Sequence, residues 1–179
     1  MSVLNGGLNM RKFFYSLIFL GTAGVVSTAL ACEAPAGLCT NGVYCMTFCN
    51  ETSSPIVLTV GSHEWIDTPI QFTSGSNTST QTSYTLPAGS SSNPTSVTAN
   101  YKIHYPHPSD CVFDNHTGHL SICINSSSCA TYAQASYALE NKVGHSGCVN
   151  QGSTYSLTQS SQSSMRIQEE GNTYTITSP

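Results

Sequence analysis

The sequence predicts a mainly β fold, an antiparallel β-sandwich or small barrel stapled by disulfides, with one helix near residues 129–143. Three observations lead there. Apolar residues alternate at period two along most of the chain, turn signals recur at roughly eight to twelve residue intervals, and eight cysteines follow a secretory leader.

The leader occupies residues 1–31. Arg11-Lys12 gives a short positive start, FFYSLIFLGTAGVV (13–26) an apolar stretch, and Ala29-Leu30-Ala31 small residues at the two positions that fit cleavage between Ala31 and Cys32. This predicts export to the extracellular space or periplasm, and the stretch is too short and wrongly flanked to be a transmembrane segment. Residues 1–9 carry no charge and precede Met10, so they read as a start-site artefact. The Ala-x-Ala cut has a bacterial look. Residues 32–179 then form a single secreted β-rich domain, long enough for its own core.

Composition removes several partner classes. After residue 31 the only cations are Lys102, Lys142 and Arg166, against nine acidic residues. Such a chain cannot neutralise a run of phosphates, which argues against nucleic acid, and an anionic membrane surface would repel it. Polarity comes instead from Ser, Thr and amides, as on exposed strand faces of extracellular proteins.

The strands follow in order. VYCMTFCN (43–50) places Tyr44, Met46 and Phe48 on one face and Cys45, Thr47 and Cys49 on the other. PIVLTVG (55–61) reads as a central strand with Ile56, Leu58 and Val60 inward. SYTLP (83–87) ends in a Pro-Ala-Gly turn, and TSVTANYKIH (95–104) sends Val97, Ala99, Tyr101 and Ile103 inward. STYSLT, SMRIQE and NTYTIT (153–158, 164–169, 172–177) close the chain, the last two joined by Glu169-Glu170-Gly171 as a hairpin. Residues 75–82 and 159–164 read as polar loops. CATYAQASYALENKV (129–143) spaces Tyr132, Ser136, Leu139 and Val143 by three and four, with Ser127 or Ser128 as cap and Gly144 as terminator, which predicts the helix.

The cysteines fall into two groups, Cys32, Cys39, Cys45, Cys49 and Cys111, Cys123, Cys129, Cys148. Export and the lack of any Cys-x-x-Cys favour disulfides over a zinc cluster. Folding CVFDNHTGHLSIC (111–123) back about Thr117 sets Cys111 opposite Cys123, and Cys129 with Cys148 would bracket the helix. Cys45 and Cys49 lie roughly 13 Å apart on an extended strand, so they pair elsewhere.

Catalytic signatures are mostly missing. Gly144-His145-Ser146-Gly147 lacks the nucleophile-elbow spacing, and His63-Glu64-Trp65-Ile66-Asp67 lacks the second histidine of a zincin. Two regions remain as candidates. Trp65, with His63, Glu64 and Asp67 beside it, is a candidate ligand-binding patch in which an indole could stack on a sugar. His104, His107, His116 and His119, with Asp110 and Asp114 interleaved, have the ligand chemistry for Zn or Cu. The leading functional expectation is a secreted protein that binds an extracellular ligand, whether a glycan, a cell surface or a protein. The alternative is a secreted hydrolase whose catalytic or metal-binding His, Asp and Glu residues are dispersed in sequence.

Overall fold

The computed structural model describes residues 32–105, 116–141, 148–161 and 163–179. Among the described residues eleven strands form, in chain order: β1 Val43–Asn50, β2 Ile56–Glu64, β3 Ile66–Ser74, β4 Asn77–Thr80, β5 Ser83–Leu86, β6 Thr95–Ile103, β7 His116–Ile124, β8 Tyr132–Asn141, β9 Cys148–Thr158, β10 Arg166–Glu170 and β11 Thr173–Thr177. They make two sheets. One has six strands in the order β10-β11-β1-β6-β3-β4, the other five in the order β5-β2-β7-β8-β9.

One hydrophobic core takes side chains from both sheets. Met46, Phe48, Phe72, Val97, Ala99, Tyr174 and Ile176 come from the six-stranded sheet, and Leu58, Leu86, Leu120, Ile122, Ala135, Tyr137 and Leu139 from the five-stranded one. The rings of Phe72 (β3) and Tyr84 (β5) stack between the sheets at 5.5 Å. The Tyr174 hydroxyl, raised in pKa chiefly by burial and so held protonated, donates across to the Ser156 carbonyl at 3.3 Å.

Alternation located β1 to the residue, and β5, β6 and the β10–β11 hairpin close to their limits; β2 runs on past the expected Gly61 to Glu64, and β9 begins at Cys148, ahead of the expected Ser153. The hairpin turns at Gly171-Asn172, where Gly171 adopts φ +58°, a region open to glycine without steric cost. β1 departs from simple alternation in one respect: Cys45, Met46, Thr47, Phe48 and Cys49 are all buried. Disulfides Cys32–Cys49 and Cys39–Cys45 tie residues 32–42 to β1 through the cysteines of its second face, and Thr47 on that face meets Thr98 of β6, hydroxyl to hydroxyl, at 3.2 Å. Replacing Cys32 and Cys49 together by serine should cost about 3 kcal/mol, because the bond closes a long loop in the unfolded chain. Urea unfolding of the double variant measures this, and an unchanged midpoint would contradict it.

Several expectations are corrected. Residues 129–141 of the expected helix are not helical, and no helix occurs among the described residues; most of that stretch is β8, and residues 142 and 143 lie outside the described residues. Ala133, Ala135, Tyr137 and Leu139 face the core while Tyr132, Gln134, Ser136 and Glu140 do not. The same letters therefore satisfy a period of two. With β7 and β9 bonded on either side, the sheet outweighs alanine's preference for helix. Thr117 is no hairpin tip but lies within β7, and Cys123 bonds Cys129 rather than Cys111. That bond also removes the proposed Cys129–Cys148 bracket. Cys148 is disulfide-bonded, while Cys111 lies outside the described residues. The 75–82 segment contains β4, an edge strand whose polar residues give no burial signal, joined to β3 through a turn at Gly75-Ser76. Finally, pairing is not wholly antiparallel: β1 and β11 run parallel, from Thr47↔Thr173 to Asn50↔Ile176.

Candidate functional site

Both candidate regions meet where the chain leaves the five-stranded sheet for the six-stranded one. β2 ends at Glu64, β3 begins at Ile66, and Trp65 between them takes φ +56°, unusual for a residue with a side chain. Three interactions hold this corner. The backbone N–H of His104 donates to the Trp65 carbonyl at 2.9 Å. The Tyr137 hydroxyl donates to the carbonyls of Glu64 (2.5 Å) and Trp65 (3.2 Å). Burial, reinforced by the Glu64 carboxylate, pushes that phenol far above its usual pKa, so it stays a donor at any physiological pH. Trp65 is half-buried and packs against the core, with its ring 5.6 Å from that of His116.

The polar residues of the corner then diverge. Asp67 accepts from His104 Nδ1 at 3.0 Å, and both side chains are more than half exposed. A pair so open to water contributes little to stability. Asp67 also lines a small groove of about 130 Å³ with Pro69, Asn100 and Lys102. Glu64 instead faces His119 of β7, its cross-strand partner. His63 is exposed. His116 lies against Trp65, His104 against Asp67 and His119 against Glu64, so the three described histidines of the candidate metal cluster have separate partners; His107, Asp110 and Asp114 lie outside the described residues. No group of three or more His, Cys, Asp or Glu side chains among the described residues could hold a metal ion.

A more organised site lies on the polar face of β2, β7 and β8, where Glu64 and His119 meet serines that the sequence did not single out. Between Val60 and His63 the β2–β7 register slips, so that Gly61 and Ser62 together oppose Ser121. This bulge turns Ser62 onto the polar face. Gly61 is required there: a Cβ would come 2.9 Å from Cys123 Sγ and 3.2 Å from Cys129 Sγ. Around the bulge the Ser62 and Ser121 hydroxyls lie 3.2 Å apart, and His119 Nε2 is 3.2 Å from Ser62 Oγ. His119 Nδ1 is 3.9 Å from Glu64 Oε2. Gln134 Nε2 donates to Ser136 Oγ at 3.0 Å. A pocket of about 310 Å³ opens here, lined by Gly61, Ser62, Ser121, Cys129, Tyr132 and Gln134.

No family model matches this chain, and no curated protein and no solved structure is significantly similar to it.

Chemical argument from its own residues therefore carries the site. Every pocket-lining group is uncharged, and the lining combines hydroxyls, one amide, one phenol ring and a disulfide. Such a surface offers donors and acceptors in both directions plus an apolar plane, and no fixed charge to attract an ion. Only Gly61 left a trace in the sequence, as a glycine inside a strand pattern, which marks a bulge. Ser62 and Ser121 were two among many serines.

Proposed function

We propose that this chain is a secreted, disulfide-stapled β-sandwich that binds a neutral, hydroxyl-rich extracellular ligand, a glycan, at the pocket beside the β2 bulge. The observation that carries this reading is the pocket lining. Ser62, Ser121 and Gln134 supply hydrogen bonds of the kind sugar hydroxyls exchange, and Tyr132 supplies a ring of the kind that covers a sugar's C–H face. The leader, its cut before Cys32 and the disulfides fit an oxidising extracellular or periplasmic setting. Trp65 takes the core-packed position that is the commoner fate of a lone tryptophan in a β-sandwich. Packed on the core, it shapes the corner that carries Glu64, and stacking passes to Tyr132.

The hydrolase alternative placed its chemistry either on His63, Glu64 and Asp67 or on the histidine cluster with Asp110 and Asp114. Glu64 and Asp67 face different histidines, and none of His63, Glu64 and Asp67 lines the pocket, so the first set draws no support from the geometry; His107, Asp110 and Asp114 of the second lie outside the described residues.

A neutral-glycan array followed by calorimetry on the best hit tests the proposal. Tyr132→Ala should weaken binding about tenfold, the size of a lost ring contact, and Gln134→Ala by a few-fold. Absence of any glycan ligand, or binding indifferent to both substitutions, would overturn it.

A further inference from the structure

We propose that Ser62, His119 and Glu64 form an acyl-transfer centre that hydrolyses small, uncharged carboxylic esters. The arrangement follows from strand geometry. Ser62 and Glu64 stand two apart on β2, a spacing that puts side chains on one face. His119 of β7 lies opposite Glu64 and reaches both: its Nε2 is 3.2 Å from Ser62 Oγ and its Nδ1 is 3.9 Å from Glu64 Oε2. An imidazole between a hydroxyl and a carboxylate, with a different nitrogen toward each, is the arrangement by which histidine activates serine. The carboxylate favours the tautomer with hydrogen on Nδ1, which leaves the Nε2 lone pair to accept the Ser62 proton. Glu64 is a positioning residue; Ser62 and His119 touch the reacting atoms.

The chemistry balances without a cofactor. Ser62 Oγ attacks the ester carbonyl carbon as its proton passes to His119 Nε2, and the carbonyl electron pair moves onto oxygen. Collapse of that intermediate breaks the bond to the leaving alcohol, which departs with the proton from Nε2 and leaves Ser62 acylated. Water then attacks the acyl carbon and gives a proton to Nε2. The bond to Ser62 breaks, the serine oxygen recovers that proton, and a carboxylic acid is released. Gln134, which lines the same pocket, uses one amide hydrogen on Ser136 and retains a second as a donor for the developing oxyanion. The uncharged lining selects uncharged esters. The ester site shares Ser62 and Gln134 with the glycan pocket and adds His119 and Glu64, which glycan binding does not require.

The experiment uses the full disulfide-bonded protein with two probes, a fluorophosphonate and p-nitrophenyl acetate. The expected result is a covalent adduct that peptide mass mapping places on Ser62, together with ester turnover that heat denaturation abolishes. Ser62→Ala should lose the adduct. His119→Ala should slow labelling by about 100-fold or more, the usual contribution of a positioned base. Glu64→Gln should still label, more slowly, and should lower kcat for p-nitrophenyl acetate while leaving KM unchanged, because the carboxylate orients the imidazole and does not touch the ester. Glu170→Gln, on the β10–β11 hairpin, should behave as wild type. Far-UV circular dichroism identifies any variant that has unfolded, and for such a variant Ser62→Cys with an iodoacetamide probe replaces the alanine test. No adduct on Ser62 of the wild type, or labelling unchanged in folded His119→Ala, would overturn the inference. Glycan binding that persists with no ester chemistry would sink this inference alone; turnover without glycan binding would sink only the binding proposal.

Discussion

Substituting Gly118 by valine should destabilise the protein by about 3 kcal/mol, at the upper end for overpacking a core. Gly118 is buried in β7 directly across from Tyr137 of β8. A Cβ at this position would fall 1.9 Å from Tyr137 Cε2 and 2.6 Å from Cζ. The ring has nowhere to retreat, because it is 2 % exposed and its hydroxyl is fixed to the Glu64 and Trp65 carbonyls. Either the ring shifts and both hydrogen bonds are lost, or β7 and β8 separate. Alanine carries the same Cβ and should cost nearly as much. The decisive measurement is a double-mutant cycle by urea unfolding. Gly118→Ala should cost less in a Tyr137→Ala background, with a coupling of at least about 1 kcal/mol. Strict additivity would mean that the ring is not what excludes a side chain. Because Tyr137 also holds the corner at Trp65, the same variants should weaken whatever binds beside Glu64 and His119.

Asn50→Ala should lose about 3 kcal/mol. Asn50 ends β1 and is fully buried. Its Nδ2 donates to the carbonyls of Ser54 and Pro87, both at 2.8 Å, and its Oδ1 accepts from the backbone N–H and the hydroxyl of Thr52 at 2.9 and 2.8 Å. This one side chain therefore ties the β1–β2 connection to the turn after β5. Alanine would strand several buried polar groups, and each such group costs about 1–3 kcal/mol when no water reaches it. Asn50→Asp tests the assignment of donors and acceptors. It keeps both accepted bonds but turns a carboxylate oxygen toward two carbonyls, so it should be no better tolerated than alanine. A thermal or urea midpoint within error of wild type for either variant would contradict the network. The Asn50-Glu51-Thr52 sequon is accordingly closed to glycosylation in the folded chain, whereas Asn77 is exposed.

The parts of the fold that were legible in the sequence are those where large apolar letters alternate with polar ones. β6 shows it best: Val97, Ala99, Tyr101 and Ile103 alternate with polar neighbours and all four are buried, even though Thr98 and Asn100 between them are buried too. Where that contrast between neighbouring letters is weak, the letters lose their meaning. β4 is polar throughout and exists because β3 offers it backbone partners. β8 is rich in alanine, which is small enough for either period, and only its two neighbours decide the matter. Likewise the pairing of Cys123 with Cys129 depends on the loop after β7 curling back over Gly61, a contact between segments far apart in the chain.

The sequence alone determined the strand-rich class, the core faces of the strands in which apolar and polar letters alternate, the sparse charge and the cysteine-rich, export-compatible character. Each is a property of composition or of neighbours within a few residues. Tertiary structure decided which strands adjoin, which cysteines bond, and that His119 and Ser62, 57 positions apart, come within 3.2 Å. It also decided that His104, His116 and His119, close in sequence, take separate partners. The physical reason is the pleat. Along a strand it sends successive side chains to opposite faces, so closeness in sequence scatters groups, while register between strands gathers them.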